Sequence, residues 1–261
     1  MMTLIFSFIF GTIVGSFLNV CIYRLPSHQS VVVPSSHCPF CKQPIAFYDN
    51  FPILSFIILR GKCRGCKASI SYQYPLVEFL AGLLSLILME KCGLSLNYAV
   101  YFIFSAALLA VTFIDLEHKI IPDSISLPGI LFGLLASLFL PNLTFLDSLI
   151  GTVTGGGSLL LVAGGYYLFT RNEGMGLGDV KLLAMMGAFL GWKSILFIIM
   201  VGSISGALVG ITVMLLKNKD RKYAIPFGPF LSLGALSYLL YGQEIIYWYV
   251  QFHFWINELI R

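Results

Sequence analysis

Long apolar runs alternate with short polar breaks along most of this chain. Runs near 3–23, 75–91, 97–115, 124–141, 147–170, 194–216 and 225–242 carry few charges. Each is about as long as a helix must be to cross a hydrocarbon core of roughly 30 Å. An eighth run, 179–192, is shorter, and the tail 244–261 is aromatic at first and weakly amphipathic. One long polar interval interrupts the pattern, at 24–74. The pattern predicts an all-α polytopic membrane protein, a bundle of about eight transmembrane helices. Its segments are a first transmembrane helix (1–23), a loop bearing four cysteines (24–74) and the remaining bundle (75–261). The first run continues into "GSFLNVCIYRLP" with no small-residue cleavage signature, and so reads as a retained helix.

Composition agrees with that class. Of 261 residues, 58% are hydrophobic and 11% charged, too apolar for a soluble domain of this size. The net charge of +4 is modest and implies no nucleic-acid partner. Its distribution is more informative. Alternating the runs across a membrane with the N-terminus outside puts thirteen of the sixteen Lys and Arg residues on the inner side, leaving Lys91, Lys193 and Arg261 outside. Basic residues favour the cytoplasmic side, so the long loop and Asp179 are expected there. Glycines at four-residue spacing (Gly151 and Gly155; Gly202, Gly206 and Gly210) predict close helix–helix packing.

The loop holds two Cys-x-x-Cys pairs, Cys38/Cys41 in "CPFC" and Cys63/Cys66 in "CRGC", with 21 residues between them. Each pair can clamp one side of a tetrahedral ion, and the gap suits a zinc-ribbon-like hairpin. Four thiols facing a reducing cytoplasm favour a closed structural Zn2+ site over disulfides or free thiols. Cys21 and Cys92, alone at run ends, read as packing residues.

Four acids gather near the same boundary: Asp115, Glu117 and Asp123 in "FIDLEHKIIPDSIS", and Asp179 in "NEGMGLGDVKLLAMMGAF". Asp123 precedes Ser124 at a helix start, where capping explains it, and Glu117 reads as solvated. Asp115 ends one apolar run. Asp179 follows three glycines and opens another that is too short to span, which predicts an acid recessed below the surface. The glycines predict a backbone that side chains would hinder. An interfacial acid paired with Lys119 or Lys181 is the simpler account of each. Two carboxylates on one membrane face can also share a site, where one keeps a proton while the other activates water to cleave an amide. A cation-coupled transporter could use the same paired acids, with the cysteine loop as a docking module. The near absence of acids from the interior of the runs weighs against that alternative.

The stretch "GMGLGDVKLLAMMGAFLGW" resembles the Gly-x-Gly-Asp motif of the bacterial prepilin peptidases (type IV leader peptidases), which are membrane aspartic proteases. Four further blocks match in order: "GSFLNVCIYRLP", "CPFCKQPIAFYDNFPILSFIILRGKCRGCKASISYQYPLVE", "IDLEHKIIPD" and "IPFGPFLSLG". The resemblance implies that Asp115 and Asp179 are the catalytic pair. It implies an enzyme of the bacterial inner membrane, active at the cytoplasmic face. Besides membrane lipid, the implied partners are prepilins and pseudopilins of type IV pilus, type II secretion or competence systems. Their short basic leader is cut after a glycine. Members with the extended cysteine loop also N-methylate the new N-terminus, using S-adenosylmethionine. No glycine-rich nucleotide fingerprint is present. Asp49 in "YDN" and Glu78 beyond it are the candidates for the methyl donor's site, and Glu78 reads equally well as a first-turn acid after Pro75.

Overall fold

A computed structural model describes residues 2–171, 176–217 and 226–259. Among these the helices, in chain order, are α1 (Met2–Arg24), α2 (Leu54–Ile58), α3 (Gln73–Cys92), α4 (Leu96–His118), α5 (Asp123–Ala136), α6 (Phe145–Thr170), α7 (Leu177–Leu190), α8 (Lys193–Lys217) and α9 (Gly228–Leu259). The described residues form no strand, only two isolated bridges. Four segments, Met2–Ser27, Leu96–His118, Phe145–Thr170 and Lys193–Leu216, are long and apolar enough to cross a membrane. The chain is an all-α, polytopic membrane protein.

Local chemistry sets the ends of these helices. Ser95 caps α4 by accepting from the Tyr98 N–H at 3.3 Å. Thr144 caps α6 by accepting from the Asp147 N–H at 3.1 Å, and its hydroxyl donates back to the Asp147 carboxylate at 2.6 Å. Two expected boundaries are corrected. The run 124–141 is helical only to Ala136 and then tightens into turns ahead of Pro141, whose ring disfavours helix at the preceding residue. The tail from 244 is not a separate segment, because α9 continues through it to Leu259. The basic residues Lys219, Arg221, Lys222 and Arg261, the start of the run at 225, and "NEGM" (172–175) with its first glycine lie outside the described residues.

The chain divides into two compact units, 1–125 and 126–261. In the first, α1, α3 and α4 enclose a core of Leu18, Ile22, Val77, Ala81, Leu109 and Ile114, among others. Close approach of α1 and α3 depends on glycine. A Cβ on Gly11 would fall 2.6 Å from the Ala81 carbonyl, and one on Gly15 would fall 2.7 Å from the Glu78 Cα. A buried polar clasp, in which Ser85 donates to the Ser7 carbonyl at 2.6 Å and pairs with the Tyr98 hydroxyl at 2.7 Å, fixes the register.

In the second unit α7 is the central element, with every residue from Leu182 to Phe189 buried. The expected glycine packing is present at Gly151, Gly155, Gly202 and Gly206. Gly151 of α6 meets the backbone of Gly187, and a Cβ on Gly155 would lie 2.5 Å from the Leu183 carbonyl. Gly133 of α5 approaches Ala188 and Phe189 of α7, while Gly202 and Gly206 of α8 face Leu231 and Phe230 of α9.

Candidate functional site

The cysteine loop is built on two copies of one turn. In the first, the Cys38 N–H donates to the Gln43 carbonyl, Lys42 N–H to the Cys38 carbonyl, and Ile45 N–H to the Ser36 carbonyl. In the second, Cys63 donates to Ala68, Lys67 to Cys63, and Ile70 to Gly61. The pattern is the same at an offset of 25 residues. Lys42 and Lys67 hold equivalent left-handed conformations (φ 60° and 59°), and single bridges close the turns at His37–Pro44 and Lys62–Ser69. The sequence carries this repeat as C-x-x-C-K-x-x-I, "CPFCKQPI" against "CRGCKASI". The cysteine spacing alone does not reveal it, but alignment of the two stretches does.

Together the turns gather Cys38, Cys41, Cys63 and Cys66 so that all four sulfurs lie within 4.8 Å of one another. The Cys38 and Cys66 sulfurs are 3.8 Å apart. The Cys41 N–H is the largest of several influences that lower the Cys38 thiol to about 6. The Ala68 N–H acts in the same sense on Cys66, but burial and hydrogen bonding among the thiols outweigh it and push that thiol up to about 11. Thiols so close cannot all ionise without a cation among them. The cluster is therefore a set of donors that could hold a metal ion.

Two acids tie the loop together and to the helices. Asp49, in a 3-10 turn (Phe47–Asp49), accepts two hydrogen bonds from Arg64, at 2.8 Å from Nε and 2.6 Å from Nη2. The pairing holds the Asp49 carboxyl below the usual carboxylate range. Arg64 lies inside "CRGC" and also stacks over the Tyr48 ring at 5.5 Å, so "YDN" is fastened to the second cysteine turn. Sequence reasoning singles out Asp49 but not its partner, since nothing in "CRGC" distinguishes Arg64 from a solvated cation. Glu78 is buried in α3 beyond the first turn, which excludes the helix-dipole account of it. Its carboxylate accepts from the backbone N–H of Ile53 at 2.7 Å. Ile53 has φ 61° and ψ −49°, a conformation costly for a β-branched residue and held by this anchor. Nearby, Asn19 of α1 donates to the Tyr74 carbonyl at 3.1 Å. "GSFLN" therefore serves to pack α1 on α3 at the root of the loop.

The two boundary aspartates lie one in each unit. Asp115 sits in the last turn of α4 and is 5% exposed, and its carbonyl accepts from the Lys119 N–H that caps the helix. Asp179 sits, half-buried, in the first turn of α7, and its N–H donates to the Gly176 carbonyl at 3.2 Å. The helix it opens has 14 residues, roughly 21 Å, as short as its apolar run requires. Gly176 departs from expectation. Its φ of −73° and ψ of 143° are open to any residue. Among the described residues a Cβ there would meet nothing nearer than the Gly178 nitrogen at 3.9 Å. At this position glycine is not required for an unusual backbone. Asp123 is the first residue of α5, as expected of an acid at a helix start.

Comparison with known proteins also divides the chain, but at a different point: both boundary aspartates fall in the second matched segment. Residues 9–92 match the model of the bacterial peptidase A24 N-terminal domain, and residues 102–211 that of the type IV leader peptidase family. The chain is 38% identical to a prepilin leader peptidase/N-methyltransferase of Aeromonas hydrophila, with 93% of this chain and 92% of that protein covered. It is 37% identical to one of Pseudomonas aeruginosa, covering 93% and 91%. A Myxococcus xanthus protein of the same name is 42% identical over 81% of this chain and 63% of its own length. No solved structure matches the chain.

Proposed function

The chain belongs to the type IV leader peptidase family, and from that premise we propose how its two chemistries are divided among its residues. It is a prepilin leader peptidase and N-methyltransferase, and the transporter alternative falls away with the family assignment. Asp115 and Asp179 act as one acid–base pair. The observation that carries this reading is the placement of both acids at helix ends, one buried and one half-buried, where a solvated surface acid would not be. α7 presents the positive end of its dipole to Asp179, and α4 the negative end to Asp115. Asp179 is accordingly the base that draws a proton from water. Asp115 is the acid that protonates the departing amine. Peptide cleavage then needs neither a covalent nucleophile nor a cofactor.

The four cysteines hold zinc as a structural ion. A tetrahedral site with Zn–S bonds of about 2.3 Å sets its sulfurs about 3.8 Å apart, the separation of Cys38 and Cys66. S-adenosylmethionine supplies the methyl group for the new N-terminus. Asp49 and Glu78 take part by holding the loop in place, since each is already committed to a partner within it. The protein lies in the bacterial inner membrane with the cysteine loop and both aspartates at the cytoplasmic face, supported by the distribution of basic residues. Its substrates are prepilins and pseudopilins, cut after a glycine small enough to bring the backbone to recessed carboxylates.

Incubating the purified full chain with a prepilin, with and without S-adenosylmethionine, tests the reading by mass. Leader loss in both cases, and one added methyl group only with the donor, is the expected result. Unchanged cleavage when a bulky residue replaces the glycine before the scissile bond would contradict the account of substrate choice.

A further inference from the structure

The short helix α2 is built inside out. Its polar residue, Ser55, is buried and donates to the Tyr48 carbonyl. Leu54, Ile57 and Ile58, at helical spacing i, i+3 and i+4, face outward with Ile57 64% and Ile58 73% exposed. Phe51, just ahead of them, is exposed as well. Such a face in water would be costly, at about 25 cal/mol per Å² of apolar surface.

Its depth is fixed by the anchor beneath it. Ile53, the residue before α2, is hydrogen-bonded to Glu78, which lies five residues into α3 from Gln73. At 1.5 Å per residue that is about 7 to 8 Å along the helix. On α1, a helix long and apolar enough to span, Glu78 packs beside Gly15, nine residues before Arg24. That is about 13 Å from the same end. Helix side chains lean toward the N-terminus, so the Glu78 carboxylate and the Ile53 N–H bonded to it lie between that level and the ends of the two helices, beside the bundle and not far above it. Interfacial helices bury their apolar face about 5 to 10 Å into the boundary between headgroups and acyl chains. Arg60 and Lys62, exposed just after α2, are placed for anionic headgroups.

We propose that residues 51–58 are a lipid anchor: α2 lies in the membrane interface with Phe51, Leu54, Ile57 and Ile58 against acyl chains. The anchor pins the cysteine turns close to the leaflet from which a pilin helix emerges. The inference rests on α1 and α3 being membrane helices. It commits to lipid, and not to the apolar helix of a pilin, because the depth set by Glu78 holds with no substrate present.

The test uses the full chain in vesicles of phosphatidylethanolamine and phosphatidylglycerol, with the photocrosslinker p-benzoylphenylalanine placed singly at 58, at 161 or at 69. Leu161 is an exposed residue in the middle of α6, and Ser69 is exposed on the second cysteine turn. Irradiation followed by intact mass should show phospholipid adducts at 58 and 161 and none at 69. Adducts at 161 but not 58, or at all three positions, would overturn the anchor. So would an adduct at 58 that switches from lipid to added prepilin. Absence of lipid adducts at both 58 and 161 would instead refute the membrane-spanning helices, and the anchor with them.

Discussion

The cysteine loop and the α6–α7 pair hold their shapes by opposite means. Between residues 25 and 72 only Cys38 and Ser55 are buried, whereas α7 alone buries eight consecutive residues against its neighbours. A stretch of that length with almost no core cannot be held by apolar burial, and small modules in this position depend on metals or disulfides. The loop instead relies on repeated turn hydrogen bonds, the Asp49–Arg64 pair, the Glu78 anchor and four convergent thiols. Two kinds of chemistry thus sit on two kinds of scaffold. On the proposed division of roles, the catalytic aspartate Asp179 is mounted on a glycine-packed helix, and methyl transfer on a loop that an ion can order.

The largest expected effect follows from that contrast. Structural zinc contributes on the order of 10 kcal/mol in small zinc modules. Its removal by a chelator, or Cys38→Ser, should therefore abolish hydrogen-exchange protection across 25–72 while leaving α6 and α7 protected. Methyl transfer should fall at least as far as cleavage. Elemental analysis should find one zinc per chain in carefully reduced protein, and protein without metal but with an ordered loop would break the comparison.

Next in size is the acid pair. Asp115→Asn and Asp179→Asn should each lower leader cleavage by roughly 10²- to 10⁴-fold with the fold intact. On the proposed pairing the two act as a unit, so the double variant should be scarcely worse than either single one. Asp123→Asn should retain substantial activity, since asparagine is equally at home at a helix start. Additive losses in the double variant would argue against a shared proton.

Gly187→Leu tests the rigid side directly. Its side chain would be driven into the Gly151 backbone, and overpacking of this kind costs about 1 to 3 kcal/mol or more. Thermal stability of the bundle should drop while metal content is unchanged.

The smallest effect belongs to Asp49→Asn. A carboxyl held below its usual range contributes stability that is present above its unfolded value and is lost as pH falls through the folded one. The variant should therefore loosen exchange around residues 63–67 at neutral pH, and differ less from the parent as pH drops below the carboxylate range. The effect is expected to be slight, because Arg64 is 55% exposed and the pair is screened by water.

Much of this was legible in the chain. Periodicity located the long helices, and the short run after Asp179 foretold a 14-residue α7, because hydrophobic length is a one-dimensional property. Glycine spacing foretold that α6 packs closely on a neighbour for a similar reason, although not that the neighbour is α7. What escaped were relations between distant residues: Arg64 against Asp49, Ile53 against Glu78, and the inverted face of α2. A pattern that treats "FPILSFII" as merely apolar cannot tell a buried face from one turned outward. That distinction comes from the Glu78 hydrogen bond 25 residues away. The continuation of α9 beyond 244 was missed because aromatic residues suit both a helix and an interfacial tail.

The division of labour itself is tested most directly by one intact-mass assay on the Asp179→Asn protein. It should be given an uncut prepilin in one reaction and an already cut pilin in the other, with S-adenosylmethionine in both. The account predicts no leader loss in the first reaction and one added methyl group in the second. Leader removal at a near-normal rate would contradict the acid pair, and loss of methylation in the second reaction would contradict the separation of the two chemistries.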